Sequence, residues 1–140
     1  MSAQPVHTIS LALDAGQTGV RTLLTAGEQR ISQQHPGVKT DTELFPQLAA
    51  IVDTALEGVT SPVSLSIGMT GLTAAQSKPA ELLSLMPPVV TQVFLAHDSI
   101  TGFLGSMGTE NGTVTAVGTG VVTLAVGEKE MARVDGWGNL

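Results

Sequence analysis

The sequence predicts an α/β fold with three antiparallel strands, then helices that alternate with strands, then three further short strands. Two observations support this prediction. Stretches rich in Ile, Leu and Val, separated by turns that contain glycine, open and close the chain, as is typical of hairpins. Between them, apolar residues recur at helical spacing and alternate with buried, strand-like runs.

The opening strands pair across tight turns. Residues 6–14 are rich in Ile and Leu, and residues 19–26 pair naturally with them, because the Asp and Gly residues between them are what a tight turn requires. A second turn at residues 26–29 leads into a short polar strand at residues 30–34. The chain therefore opens with three antiparallel strands.

A helix follows from Thr42 onward, where the apolar period changes. Thr40 and Glu43 form the pattern of a capping box, while Pro46, which fits a first turn, leaves the start of the helix open. Gly58 is a plausible end. The apolar stripe consists of Leu44, Leu48, Ile51, Val52, Ala55 and Leu56.

Strands and helices alternate in the middle of the chain. Residues 62–69 alternate large apolar side chains with small ones, which is typical of a strand covered on both sides. Pro79 opens a short helix that the prolines at 87–88 end. A buried strand, a short helix from Asp98 and three short strands punctuated by glycines complete the order.

Composition excludes several classes of function. The balance of 42% hydrophobic and 13% charged residues is that of one ordinary globular domain. The net charge of −6 and the scattered basic residues argue against a nucleic-acid partner. No apolar run approaches the ~18 residues that span a bilayer, and the N-terminus lacks a basic secretory signal, so we expect a cytoplasmic protein without a membrane partner. Without cysteine the chain has no disulfide, thiolate nucleophile or cysteine-bound metal.

The order of elements resembles the ribonuclease H-like lobe shared by actin, Hsp70 and the sugar kinases. The resemblance implies a mixed five-stranded sheet with helices on both faces, formed by residues 1–111. The last strands repeat the pattern of the first three. Residues 112–140 are therefore interpreted as the opening β-meander of a second, similar lobe that is incomplete.

The turn after the first strand is a candidate phosphate-binding turn. In such a lobe this turn presents backbone N–H groups to nucleotide phosphates, and glycine permits close approach with positive φ; here it contains Gly16, Gln17 and Thr18. Asp14 at the end of the strand can hold Mg²⁺ through water. Taken alone, the turn is better explained as a plain hairpin.

Two further motifs strengthen the nucleotide interpretation. A second strand–turn–strand unit at Gly118, Thr119 and Gly120 would clamp a nucleotide from the other side of a cleft. Asp98 follows a buried strand and precedes a helix, where it is either an N-cap or a general base that accepts the proton of a substrate hydroxyl.

Together these motifs resemble the BadF/BadG/BcrA/BcrD ATPase family, and within it the N-acetylglucosamine kinase-like members. Asp14, Gly16 and Thr18 match the first phosphate motif, "GMTGL" a Gly-rich strand end, and "VGTG" the second phosphate motif. "DGWGNL" matches the family's G-G-W-G sugar segment through Gly136 and Trp137. The resemblance spans nearly the whole chain and implies ATP and Mg²⁺ as cofactors, Asp98 as the catalytic base and a small sugar as the substrate.

The chain departs from the family pattern at several positions. Ala15 and Gln17 replace two glycines of the first motif, and Val121 replaces the Ser that usually follows the second. Lys39 stands where the family has an Asn that contacts the sugar. The identity of the sugar therefore stays open.

We expect the N-terminal lobe of an ATP-dependent kinase that phosphorylates a hydroxyl of an amino sugar such as N-acetylglucosamine. The 140 residues alone are expected to be inactive. A missing C-terminal lobe, or a second copy in a homodimer, should cover the apolar strand positions that lack a partner face, which are Val114, Val117, Val122, Leu124 and Val126.

The alternative is a non-catalytic or ATPase-type actin-like module that binds a nucleotide and acts as a switch or interaction protein. Asp98 distinguishes the two, since a switch needs the phosphate turns but no base directed at a hydroxyl. Two related classes are excluded: dehydratase activators hold an iron–sulfur cluster through cysteines, and ribonuclease H-like nucleases need several convergent carboxylates and a basic surface.

Overall fold

The structure, a computed structural model, describes residues 8–117 and 121–135. A five-stranded sheet has the strand order β3-β2-β1-β4-β5. Its first three strands are antiparallel neighbours, whereas β4 runs parallel to both β1 and β5. The strands are β1 (Ile9–Ala15), β2 (Val20–Ala26), β3 (Gln29–His35), β4 (Val63–Met69) and β5 (Val90–His97). The predicted mixed sheet is confirmed.

Two helices cover one face of this sheet. Helix α1 (Leu44–Ala55) crosses between β3 and β4, and α2 (Pro79–Ser84) between β4 and β5, with a 3₁₀ turn (Ala74–Gln76) before α2. Alternate residues of β1, β2, β4 and β5 point to this face and form one apolar core with the helices, whereas β3 contributes no side chain to it. The largest fully buried side chains there are Leu11, Leu48, Leu65, Ile67, Leu82, Val20, Val52 and Val63.

Helix α3 (Asp98–Met107) lies over the other face. Gly68 of β4 faces it, and a Cβ at Gly68 would overlap with the side chain of Thr101. The glycine therefore lets the first turn of α3 approach the sheet closely. The rest of this face is more open, since Ser66 and Phe94 are exposed. The sequence predicts that β4 is covered on both sides, but the structure shows this only along part of its length.

Three antiparallel strands form a second sheet with the order β6-β7-β8. They are β6 (Gly112–Val117), β7 (Val121–Val126) and β8 (Met131–Asp135). Helix α3 packs against β6 and β7, and Phe103 and Leu124 are buried outside the main core. The expectation that Leu124 lacks a partner face is therefore wrong, whereas Val117 is 77% exposed.

The start of α1 differs from the expected capping box. Its N-cap is Glu43, and no side chain caps the helix. Instead, Gln47 reaches back from the helix to the preceding loop. A capping box does form at the 3₁₀ turn, between Thr73 and Gln76. Among the described residues, no helix is long and apolar enough to cross a membrane.

Candidate functional site

The carboxyl ends of three parallel strands bring the candidate residues together. Strands β1, β4 and β5 run in the same direction, so Asp14, Thr70 and Asp98 lie at one edge of the sheet. The register sets Asp14 beside Gly68, and the N–H of Thr70 donates to the carbonyl of Ala15 at 3.0 Å. Ligand sites in open α/β sheets occur at this edge.

The first turn (residues 16–19) joins β1 to β2 and is closed by its own hydrogen bond. The N–H of Gly16 donates to the carbonyl of Gly19 at 3.0 Å, so it is not free for a phosphate. Neither Gly16 nor Gly19 has positive φ, which corrects the expected reason for glycine here. Gln17 and Thr18 are exposed, and their N–H groups donate to no backbone acceptor within residues 8–117 and 121–135. These two exposed amides are among the donors that the turn offers, since the N–H of Gly19 donates to no described backbone acceptor either.

A loop after β3 lies directly against the first turn. The N–H of Val38 donates to the carbonyl of Gly16 at 3.0 Å, and Val38 itself is 2% exposed. A Cβ at Gly37 would overlap with the carbonyl group of Gln17 and would lie 2.9 Å from the nitrogen of Gly19. Only glycine at position 37 permits this contact, so the loop forms a close-fitting floor beneath the turn.

The carboxylate of Asp98 is held on both oxygens. The hydroxyl of Thr70 donates to Oδ2 at 2.8 Å, and Nδ1 of His97 lies 2.9 Å from Oδ1. Asp98 is the first residue of α3 and not its N-cap; His97 is the cap, because its Nδ1 accepts from the N–H of Ser99 at 3.2 Å. The Asp98 side chain is 33% exposed, so it also reaches solvent.

The contact of His97 Nδ1 with the N–H of Ser99 and its contact with Oδ1 of Asp98 exclude each other at any moment, because the first needs Nδ1 without a proton and the second needs Nδ1 with one. Without a proton, Nδ1 accepts from the N–H of Ser99; with a proton, it donates to Oδ1 of Asp98 or to the Ser99 hydroxyl at 2.9 Å. The hydroxyl of Thr70 has no such conflict, since Oδ2 of Asp98 is its acceptor. Thr70 is therefore the more constant of the two contacts.

Two clefts meet at Asp98. The first, called the turn cleft, has a volume of about 510 Å³ and lies between the first turn, α3 and the inner positions of β6 and β7. The second, called the sheet cleft, measures about 610 Å³ and runs over the open face of the sheet past Asp14, Arg21 and Ser66. Asp98 and Gly102 line both clefts. A Cβ at Gly102 would meet no atom within 4 Å, so the passage between the clefts is open there.

Asp14 fits the requirements of a magnesium ligand. Its carboxylate is exposed, lines the sheet cleft with Asp98, and makes no hydrogen bond or ion pair with another described residue. Arg21 pairs with Asp14 across the strands, yet the two side chains form no salt bridge. Mg²⁺ usually takes one or two carboxylates together with water and substrate phosphates. No group of three metal-binding side chains occurs among the described residues, so phosphate and water would have to complete the coordination.

Of the other predicted site residues, the structure describes only Lys39, and it does not bring Lys39 to these clefts. Lys39 is exposed, its backbone N–H and carbonyl both bond to the side chain of Gln47, and it lines neither cleft. The remaining predicted site residues lie outside the described residues; they are Gly118, Thr119 and Gly120 of the second turn, and Gly136 and Trp137 of the sugar segment.

Sequence reasoning missed three residues of the site. Thr70 directly follows β4 within "GMTGL", at the edge where ligand-facing residues collect, and this position was the available signal. His97 is the N-cap of α3, and it was missed because the neighbouring Asp98 is the more usual residue type for an N-cap. Gly102 carries no sequence signal, since a glycine inside a short helix has no distinctive pattern.

Solved structures of other proteins share this fold. A candidate N-acetylglucosamine kinase from Chromobacterium violaceum is 22% identical with a TM-score of 0.74, over 96% of this chain and 50% of that one. A candidate N-acetylglucosamine kinase from Porphyromonas gingivalis is 22% identical with a TM-score of 0.62, over 89% and 47%. A glucokinase from Balamuthia mandrillaris, solved with glucose, is 16% identical with a TM-score of 0.51, over 92% and 47%.

These similarities confirm the predicted fold class, an α/β fold with a mixed five-stranded sheet and helices on both faces. The chain spans about half the length of the three proteins. No protein-family model matches the sequence, and neither does any curated protein.

Proposed function

We propose that this chain is the N-terminal lobe of an ATP-dependent kinase that phosphorylates a hydroxyl of an amino sugar such as N-acetylglucosamine. The observation that carries the proposal is the position of Asp98. Its carboxylate is hydrogen bonded, partly exposed and lies where the turn cleft meets the sheet cleft. The fold shared with two candidate N-acetylglucosamine kinases and a glucokinase supports the same class of reaction.

Asp98 would act as the general base. It accepts the proton of the acceptor hydroxyl while that oxygen forms a bond to the γ-phosphorus and the bond from phosphorus to the leaving ADP oxygen breaks. The N-terminus of α3, at which Asp98 lies, favours the negative charge that a base requires. Thr70 fixes the direction of the carboxylate and leaves it able to accept a further hydrogen bond, since each carboxylate oxygen can accept more than one.

The first turn would hold the phosphates. Gln17 and Thr18, whose N–H groups take no part in the hairpin's own hydrogen bond, line the turn cleft with Gly16. Asp14 would hold Mg²⁺, which supplies positive charge to the transferring phosphoryl group when bound. Gly118, Thr119 and Gly120 would contact the nucleotide from the opposite side of the cleft.

A second lobe would complete the enzyme. The chain spans about half of each of the three proteins that share its fold, and β6, β7 and β8 would be the first strands of that lobe, with a boundary near residue 111. Exposed Val117, Val121 and Val134 would then be covered by the C-terminal lobe or by a second copy. We expect the 140 residues alone to bind ATP weakly and to show no turnover.

A thermal-shift panel on the full-length protein tests the proposal. Amino sugars and neutral hexoses are each added with ATP and Mg²⁺, and we expect N-acetylglucosamine with the nucleotide to raise Tm by more than either ligand alone, because the ligands stabilise the folded state that binds them. A panel in which no sugar changes Tm, together with no ATP-dependent phosphorylation, would refute the kinase proposal.

Two glycines of α3 provide a matched test of the cleft. Gly102→Leu places a side chain at the junction of the clefts, whereas Gly105→Leu, on the same helix, also meets no atom within 4 Å but lines neither cleft. In a helix, leucine is more favourable than glycine by about 1 kcal/mol, so neither substitution should unfold α3. We expect Gly102→Leu to abolish the ligand-induced shift and Gly105→Leu to preserve it. Equal behaviour of the two variants would place the ligand elsewhere.

A further inference from the structure

The side chain of Gln47 makes an unusual set of hydrogen bonds. Its Oε1 accepts from the N–H of Lys39 at 2.7 Å, and its Nε2 donates to the carbonyl of Lys39 at 2.9 Å. Nε2 also lies 2.8 Å from the hydroxyl of Thr42 and 2.9 Å from the carbonyl of Glu43. The amide therefore bonds both main-chain groups of Lys39, as a neighbouring strand would, and reaches across eight residues to do so.

These bonds differ from ordinary helix capping. A capping side chain accepts hydrogen bonds from the first N–H groups of the helix, whereas Gln47 bonds only to groups of the loop before α1. The N-cap Glu43 makes no side-chain cap bond either. Gln47 thus holds the loop, not the helix end.

The loop held by Gln47 is the one that supports the first turn. Residues 36–43 are called the support loop, and within it Gly37 and Val38 contact the backbone of the turn. Lys39 follows immediately, so the hydrogen bonds from Gln47 to Lys39 lie one residue away from the bond between Val38 and Gly16. Val38 is buried, which fixes the loop from the core side as well.

We propose that Gln47 is a positioning residue that sets the shape of the first turn through the support loop. In its nucleotide-binding part this inference rests on the proposed function. A loop that is free to move would let the turn sample other conformations, and a ligand would then have to order it on binding, which lowers affinity. We expect loss of Gln47 to weaken ATP binding about five- to tenfold without any change in a residue that touches ATP.

Variants of Gln47 test this in the full-length protein. Gln47→Leu removes every polar contact of the amide, and Gln47→Glu keeps an acceptor for the N–H of Lys39 but sets a carboxylate oxygen against the carbonyls of Lys39 and Glu43; Gln, Leu and Glu have similar helix propensities. The control is Gln92→Leu on the opposite edge strand β5, which removes a single exposed hydrogen bond from the Gln92 amide to the hydroxyl of Ser64 on β4. Urea unfolding of each variant checks that the fold is retained.

Amide hydrogen exchange is the first measurement, because it does not require any ligand. The N–H groups of Gly16 and Val38 are both hydrogen bonded, so they report on the turn and on the support loop. Gln47→Leu and Gln47→Glu should both accelerate their exchange about tenfold or more, because neither side chain can donate to the carbonyl of Lys39, and Gln92→Leu should not change it. Unchanged exchange at both amides would overturn the inference.

Steady-state kinetics is the second measurement. Gln47→Leu and Gln47→Glu should each raise KM for ATP about five- to tenfold while KM for the sugar stays within about twofold. Faster exchange with an unchanged KM for ATP would show that Gln47 holds the loop only, which also overturns the inference. If the wild-type protein neither binds nor uses ATP, the proposed function fails, and the exchange rates alone decide the role of Gln47.

Discussion

Replacement of Thr70 by valine removes one hydroxyl and almost no volume. The hydroxyl donates to Oδ2 of Asp98 at 2.8 Å and is the one contact of that carboxylate that does not depend on the protonation of His97. Valine keeps the β-branched shape, and the backbone N–H of residue 70 can still donate to Ala15. The substitution therefore perturbs the direction of the carboxylate and little else.

The size of the effect follows from the exposure of Asp98. A hydrogen bond to a charged group contributes about 1.5–3 kcal/mol when it is shielded from water. The Asp98 side chain is 33% exposed, so water replaces part of the lost bond, and we take about 1 kcal/mol as the remaining loss. At 1.36 kcal/mol for each factor of ten in rate, kcat should fall about fivefold.

The assay is steady-state phosphoryl transfer by the full-length protein with ATP, Mg²⁺ and N-acetylglucosamine. Thr70→Val should lower kcat with KM for ATP within about twofold of wild type, whereas Thr70→Ser, which keeps the hydroxyl, should retain most of the activity. If Thr70→Val has wild-type kcat, or if Thr70→Ser loses as much as Thr70→Val, the hydroxyl does not position Asp98.

Three further substitutions probe the turn, the helix contact and the core. Gly16→Val should weaken ATP binding about tenfold with little loss of fold, because its side chain would extend past the 3.8 Å contact with Thr70 toward the cleft; calorimetry that shows unchanged affinity would contradict this. Gly68→Ala should cost about 1–3 kcal/mol of stability and lower kcat, because its Cβ pushes Thr101 and the start of α3 away; an unshifted urea midpoint would argue against the close contact. Leu48→Ala, at a side chain with 0% exposure, should lower the free energy of unfolding by about 2–5 kcal/mol, and a loss below 1 kcal/mol would mean that α1 is not packed as described.

The fold was predictable because local patterns and tertiary structure agree. The helical stripe at Leu44, Leu48 and Val52 became the buried side of α1, and Pro79 became the first residue of α2. The predicted capping box at Thr40 is wrong, because the side chain of Gln47 hydrogen bonds to the polar groups of this loop instead. Rules of local propensity do not include such contacts. Burial of Leu124 was not predictable, since it depends on how α3 packs against the second sheet.

The site was predictable only in part. Asp14 and Asp98 were proposed from their positions at strand ends, and the structure brings both to one edge of the sheet because β1, β4 and β5 are parallel. The partners of Asp98 were not found, because Thr70 lies 28 residues away and is joined to it only by the register of β4 and β5. The floor of the first turn was missed for the same reason, since the contact of Gly37 with Gln17 is set by the path of the loop after β3.

Comparison of Asp98→Asn with wild type tests the central claim most directly. Asparagine keeps the size of the side chain and an oxygen that can accept from Thr70, but it cannot take the proton of a hydroxyl. In the full-length protein with ATP, Mg²⁺ and N-acetylglucosamine, we expect kcat to fall by about two orders of magnitude or more while the Kd for ATP stays within about twofold. Wild-type turnover in Asp98→Asn would show that Asp98 is not the base and would contradict the account.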